Sequence, residues 1–327
     1  MSKAIVISGG GSRGSWAFGF LEAYDSINSE ELSKYKCYVG TSAGALVATS
    51  LAIDKLSEAS ELFISLTNDD VYSVCPFKKK GEEYKLNWWS IFKNIYIRNK
   101  ATFGDTDKVI DLIKKIYTKE DHEKLKHSDK ELIVTVTDIN KRIPKYISNK
   151  EYDYETFVKY IFASTCAAPI MSMIEINGIQ YVDGGIVESI PISAVIDKED
   201  IKHIDVLSLN KYVEAHSQDR KYHWIDNIGK LLISYLDMFL EYTSKDDILV
   251  SVLKSKLKNI SVNIYQPSVN LFDYPFSFEP DKSKQMYNVG ISDSFNIFSG
   301  KQNLKVISFY NNRLTVSDKF LKNGNYT

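Results

Sequence analysis

Short continuous apolar runs alternate with amphipathic stretches along most of this chain. Residues 4–8 (Ala-Ile-Val-Ile-Ser) are a β-branched run that ends in glycines, the pattern of a strand buried on both faces. Trp16, Phe18, Phe20 and Leu21 follow in a predicted helix. Cys37-Tyr38-Val39 predicts a second buried strand, and residues 43–68 predict two helices with a break near Asp54. Helical spacing with an acidic start marks 105–118, and 153–164 also reads as a helix. Strands are predicted at Glu131–Asp138, Pro144–Ser148, Gln180–Asp183 and Asp205–Leu209, with Pro191 opening another helix. From Trp224 to about Leu257 a helical pattern places Ile225, Ile228, Leu231, Leu232, Tyr235, Phe239 and Leu240 on one face. A strand at 260–266, a helix at 282–298 and a late strand at 304–310 complete the pattern, before a polar tail. Strands interleaved with helices predict an α/β protein with a mostly parallel sheet.

Two strand-to-helix turns carry candidate chemistry. The first, Gly9-Gly10-Gly11-Ser12-Arg13-Gly14, fits G-x-G-x-x-G. A dinucleotide site built on this fingerprint needs a carboxylate at the end of the second strand. Here that strand ends in Gly40-Thr41-Ser42-Ala43-Gly44, so an anion cradle of backbone N–H groups is the preferred reading. The second turn sets Ser42 between two glycines at a helix start, where a hydroxyl can stand above the sheet edge near free N–H groups. Its plain alternative is a helix-capping serine. Both turns fall at the carboxyl edge of a parallel sheet, where open α/β sheets bind ligands.

Composition narrows the classes. The chain has 327 residues, 44% hydrophobic and 25% charged, with a formal net charge of -1, which argues against a nucleic-acid polymer as partner. Cys37, Cys75 and Cys166 form no CxxC pair, which predicts a reducing compartment, with Cys37 and Cys166 in the core. The five histidines (His122, His127, His203, His216, His223) lie in no metal-type or triad-type motif, and no clustered carboxylates imply calcium. No cofactor or metal is expected. The run Ala4–Ile7 is too short for a signal-peptide core, and no stretch approaches the ~20 apolar residues of a membrane span. The expected location is cytoplasmic, peripherally at membranes, with signal-independent export left open. No linker or repeat divides the chain, so 1–327 is expected to be one domain, with an inserted segment at about 69–104 and a helical C-terminal elaboration at about 222–327.

The inserted segment mixes Trp88, Trp89, Phe92 and Tyr96 with Lys78, Lys79, Lys80, Lys85, Lys93, Arg98 and Lys100. Aromatic and basic side chains together suit a lipid headgroup interface, with Trp88 and Trp89 as the candidate membrane contact. The alternative is a flap whose aromatics pack on the domain and whose lysines are solvated.

A third motif, Asp183-Gly184-Gly185, joins the two turns. In this order the three motifs resemble the patatin-like phospholipase family, supported by Ser164-Thr-Cys-Ala-Ala-Pro169 and Gly178-Ile-Gln-Tyr-Val-Asp183. The resemblance covers roughly residues 4–210. It implies a three-layer α/β/α fold and a lipid acyl hydrolase acting on a phospholipid or other acyl lipid, with an activator of unknown kind in some relatives. It implies Ser42 as nucleophile and Asp183 as its dyad partner. Gly9, Gly10, Gly11, Arg13 and Gly14 would form the oxyanion loop, and Gly40, Thr41, Ala43 and Gly44 the nucleophile elbow. Ser189 before Pro191 departs from the asparagine the family often has there. The competing readings are a Ser–His–Asp hydrolase, a serine acyltransferase on a similar fold, and a catalytically silent lipid- or partner-binding module.

Overall fold

The computed structural model describes residues 2–81, 83–210, 259–272, 274–298, 306–310 and 313–317, and a subset of helical positions between 231 and 258. Ile225, Ile228, Leu232, Phe239 and Leu240 of the predicted apolar face lie outside the described residues. The described members Leu231 and Tyr235 are exposed. The strands are β1 (Ser2–Ile7), β2 (Tyr35–Thr41), β3 (Phe77–Lys80), β4 (Glu83–Leu86), β5 (Glu131–Asp138), β6 (Ile143–Ser148), β7 (Ile174–Ile176), β8 (Ile179–Asp183), β9 (Ile201–Leu207), β10 (Ser261–Tyr265), β11 (Val306–Tyr310) and β12 (Arg313–Ser317). Ahead of the C-terminal third come helices α1 (Gly14–Leu32), α2 (Ala43–Ala52), α3 (Leu56–Ser65), α4 (Asn68–Val71), α5 (Trp88–Phe92), α6 (Lys108–Ile116), α7 (Lys119–His127) and α8 (Tyr154–Ser164). A later helix spans Pro280–Phe298.

Among the described residues, one mixed sheet runs in the order β12-β11-β10-β9-β1-β2-β5-β8-β7, with β6 also on β5. Strands β10, β9, β1, β2 and β5 are parallel, and the outer pairings are antiparallel. Side chains alternate across this sheet as its period of two requires. Ile5 and Ile7 enter one buried cluster with Trp16, Phe18, Phe20 and Phe157. Ala4 and Val6 enter another with Val39, Ile204, Ile264, Ile190 and Ile248. Helices cover the sheet, giving the three-layer α/β/α architecture.

The register on β5 positions the site. Strand β6 pairs with Ile133–Asp138 along one edge of β5. Strand β2 pairs with β5 only as far as Thr41 opposite Thr135, and β8 pairs from Asp183 opposite Val136. Residues 133–135 pair with both β6 and β2, and 136–138 with both β6 and β8. Strand β8 therefore continues the edge that β2 leaves. The ends of β2 and β8 face each other across one residue step of β5.

Several elements differ from the pattern-based expectation. Pro191 opens no helix; a single 3-10 turn at Ile192–Ala194 follows it. Ile192, Val195 and Ile196 all bury on the second sheet face, and the chain must enter β9 at Ile201. Helix α7 was not expected, although Thr118 and Asp121 form a capping box at its start. The β7–β8 hairpin turns through Asn177 and Gly178, both at positive φ, a sequence signal for such a turn. The break near Asp54 is a residue at φ 57 between α2 and α3.

The Pro280–Phe298 helix lies against α1 with almost no space between backbones. A Cβ at Gly290 would sit 2.1 Å from the Trp16 carbonyl oxygen, and one at Gly19 would sit 2.1 Å from that of Tyr287. Trp16 Nε1 donates to the buried Asp293 carboxylate at 2.8 Å. Gly290→Ala is expected to force the helices apart and lower stability by ~1–3 kcal/mol, the usual cost of overpacking. A urea unfolding curve checks this, and an unchanged midpoint would refute it.

Candidate active site

Ser42 follows the last residue of β2 and precedes α2, with φ 56 and ψ -128. A non-glycine residue in such a region costs ~1–3 kcal/mol and persists only when its surroundings hold it there. Two bonds do so. The Ser42 N–H donates to Ser164 Oγ at 2.9 Å, and Ser164 donates onward to the Thr135 carbonyl at 2.7 Å. The Ser42 carbonyl accepts from the Ala45 N–H at 2.9 Å, closing the first helical turn. Helix α2 then passes tightly over β1, since a Cβ at Gly44 would lie 2.3 Å from the Ile7 carbonyl oxygen. Gly40 and Gly44 thus belong to the turn for lack of space, and Thr41 and Ala43 are buried beside them.

Asp183 ends β8 with 4% of its surface exposed. Burial pushes its carboxyl up from an ordinary 3.8 to about 7, with the Ser42 side chain and the Gly185 N–H pulling the other way. Gly185 donates to Asp183 Oδ1 at 2.7 Å, and Thr137 Oγ1 donates to the Asp183 carbonyl at 3.0 Å. Gly184 runs past Thr135 at the same point of β5.

The glycine loop lies against Ser42, because a Cβ on Gly9 would approach Ser42 Cβ to 3.3 Å. Gly11 has φ +57, a conformation that favours glycine. Gly9 is not free to donate to a ligand, since its N–H bonds to the Ser189 carbonyl at 3.1 Å. Among the described residues, no acceptor meets the N–H of Gly10 or Gly11. Gly14 begins α1, close to Ala43. Arg13 points to protein groups: its Nη1 donates to Asn210 Oδ1 at 2.6 Å and its Nε to the Phe272 carbonyl at 3.0 Å. The loop is thus braced from the C-terminal part of the chain, which includes Ser12 N–H donating to the Pro275 carbonyl at 2.8 Å.

Ser42 and Gly11 line a cavity whose wall is otherwise almost wholly apolar, including Leu46, Phe63, Leu112, Ile116 and Met171. It encloses about 890 Å³, counting space open to solvent. Ser42 at the start of α2 and Leu46 and Thr49 within it line the cavity, so it extends along that helix for ~10 Å at 1.5 Å per residue. The three described histidines are engaged elsewhere. His122 bonds to Tyr117 and the Tyr152 carbonyl, His203 bonds to Asp205, and His127 lies near Glu123.

The expected flap holds the β3–β4 hairpin and α5. Phe77, Tyr84 and Ile91 pack inward, whereas Trp88 is 58% and Trp89 69% exposed, with Phe92 and Tyr96 also exposed. Arg98 pairs with buried Asp105 at 2.9 Å, and Ser172 Oγ donates to Asp105 at 3.0 Å. The segment is therefore tied to the 167–172 loop, which contributes Ala167 and Met171 to the cavity wall.

A family model described as patatin-like phospholipase matches residues 5–196. The chain belongs to the patatin-like phospholipase family. Membership supports lipid acyl hydrolase chemistry in general, and the mixed, mostly parallel sheet under helices agrees with a patatin-like fold. No curated protein matches the chain. Among solved structures, the crystal structure of VipD from Legionella pneumophila is similar at 14% identity and a TM-score of 0.49. The match covers 94% of this chain and 68% of that one. The matched family region holds Ser42, Asp183 and the glycine loop but not Asn210 or the helical positions between 231 and 258.

Sequence reasoning did not assign Ser164 to the site, although the residue was noted. Its role depends on a partner 122 positions away. The Asp183 shift has a signed consequence. Folded protein holds a proton that the unfolded chain releases between about pH 4 and 7. The stability this group contributes is full below that window and is lost as pH rises through about 7. Between acid and mildly alkaline pH, wild-type protein should lose more stability than Asp183→Asn. Parallel urea-derived stabilities for the two proteins would refute this.

Proposed function

We propose that the protein is a serine lipid acyl hydrolase of phospholipase A or lysophospholipase type, with Ser42 as nucleophile and Asp183 as its partner. What supports this is that Ser42, at the wall of an apolar cavity, follows the end of β2 where β8 brings in the buried carboxylate of Asp183, whose proton affinity burial raises. A serine hydroxyl needs a base within reach, and an ordinary aspartate is a poor one. Burial raises the proton affinity of Asp183 toward the working range of a general base. In the proposed reaction, Ser42 Oγ bonds to the ester carbonyl carbon while its proton passes to Asp183. The oxyanion accepts from the N–H groups of Gly10 and Gly11. The ester C–O bond breaks, the alcohol leaves with the proton from Asp183, and the acyl chain occupies the apolar cavity. Water then repeats the sequence on the acyl-enzyme and releases the fatty acid. Arg13 acts by holding the loop through Asn210 and the Phe272 carbonyl.

The exposed Trp88 and Trp89, with exposed Lys93 following in the same segment, form the proposed peripheral contact with an anionic bilayer. An aromatic face flanked by cations complements anionic headgroups and interfacial acyl chains. It would bring the cavity to its substrate without a membrane span; no helix among the described residues is long and apolar enough to cross a membrane.

Ser42→Ala should abolish fatty-acid release from phospholipid vesicles and from short-chain esters, and histidine variants should retain it. Fatty acid released in full by Ser42→Ala would refute the reading. On a soluble ester, kcat/KM should rise with pH through an acid limb near 7, as Asp183 loses its proton. A profile flat from pH 5 to 9 would remove Asp183 as the base. Trp88→Ala with Trp89→Ala should weaken binding to anionic vesicles and leave soluble-ester turnover unchanged. Vesicle binding equal to wild type would remove the membrane contact.

A further inference from the structure

The backbone that follows Asp183-Gly184-Gly185 is held from a distant part of the chain. Asp247, one of the described helical positions between 231 and 258, accepts from two successive backbone N–H groups with one oxygen. Ser189 N–H donates to its Oδ2 at 2.7 Å and Ile190 N–H at 2.9 Å. From the same stretch, Ser244 Oγ donates to Ser189 Oγ at 3.1 Å and accepts from Asn210 Nδ2 at 3.3 Å. Asn210 in turn accepts from Arg13 at 2.6 Å. Ser189 is thus gripped at its N–H and at its hydroxyl, and its carbonyl accepts the Gly9 N–H. The stretch is itself anchored there, since Ile248 buries with Ile190 and Ile192, and Lys254 donates to Ser193 Oγ at 2.9 Å.

We infer that Asp247 and Ser244 are positioning residues, which set the glycine loop against Ser42 by fixing Ser189 and, through it, Gly9. The inference rests on the hydrolase reading of Ser42. Two routes from this stretch reach the loop: through the Ser189 carbonyl to Gly9, and through Asn210 to Arg13. They meet the loop on either side of Gly10 and Gly11, whose N–H groups would receive the oxyanion. A misplacement of ~1 Å at such a site can cost ~10²-fold in rate without weakening substrate binding. At Ser189 and Ile190, Asp247 acts by hydrogen-bond acceptance through one oxygen, and an asparagine side-chain oxygen supplies this equally.

The experiment compares wild type, Ser42→Ala, Asp247→Ala, Asp247→Asn and Ser244→Ala in the full-length chain. Three readouts are taken: kcat and KM on a soluble short-chain ester, the rate of labelling by an alkyl fluorophosphonate followed by intact mass, and the urea midpoint. In labelling, an O–P bond forms at serine, the P–F bond breaks and fluoride leaves. Wild type should label and Ser42→Ala should not; labelling that survives in Ser42→Ala overturns the nucleophile reading and this inference with it. With wild type labelled, Asp247→Ala is expected to lose ~10- to 100-fold in kcat and in labelling rate at an unchanged KM. Asp247→Asn should stay within ~3-fold of wild type, because the acceptor is retained. Ser244→Ala should lower kcat in the same direction, and it carries the test should Asp247→Ala fail to fold. A lowered urea midpoint with wild-type kcat and labelling rate would show mere structural support and overturn the inference. Asp247→Asn as impaired as Asp247→Ala would overturn the hydrogen-bond account.

Discussion

Strand β5 shares one edge between two partners, and the site depends on that hand-over. Strand β2 pairs with it up to Thr135, and β8 takes over at Val136 from the opposite direction. A parallel strand ending and an antiparallel strand ending are thereby brought tip to tip. Each tip carries one of the two candidate catalytic side chains. The spacing between Ser42 and Asp183 is therefore a property of backbone pairing, and no long flexible side chain has to span it. Thr135 lies at the junction, where its carbonyl accepts from Ser164 and its backbone is passed closely by Gly184. Hydrogen bonds within a sheet are short and directional, so such a junction tolerates little drift.

That rigidity supports two unfavourable features. Ser42 holds a backbone conformation that other residues than glycine rarely adopt, and Asp183 holds a carboxyl group away from water. Neither would survive in a pliable loop, where the strain would relax or the carboxylate would find solvent. The packed junction makes them persist. The same burial that costs free energy raises the proton affinity of Asp183, which is what the proposed two-residue site would need from an otherwise weak base.

The remaining third of the chain is part of the same construction. The Pro280–Phe298 helix packs backbone to backbone on α1, just after the glycine loop. The segment around Phe272 and Pro275 bonds to Arg13 and Ser12, and Pro275, Phe276 and Phe278 close one side of the cavity. Ser244 and Asp247 reach the loop after Asp183. Elements beyond the family match thus complete the walls and braces of a site whose candidate reacting groups lie within it.

Much of the fold was legible in the chain because its signals are local. Short runs rich in β-branched and aromatic residues and bounded by turn residues favour strands, so the strands at 4–8, 131–138 and 180–183 followed from the pattern. The glycine loop, the Gly40–Gly44 turn and Asp183-Gly184-Gly185 could likewise be read as motifs, since tight turns need particular residues at fixed spacing. Reading failed after Pro191, where a single 3-10 turn stands in place of the expected helix before the chain enters β9 at Ile201. Other features had no local signal. That Ser164 would brace Ser42, that Asp247 would grip Ser189 and that the Gly9 N–H would be occupied all depend on neighbours far along the chain. Sequence by itself determined the elements and the candidate reacting groups, through residue type and spacing. Only the tertiary structure decided how β5 shares its edge, and so how those groups meet, because pairings that join Thr41 to Thr135 and Val136 to Asp183 are a property of the whole sheet.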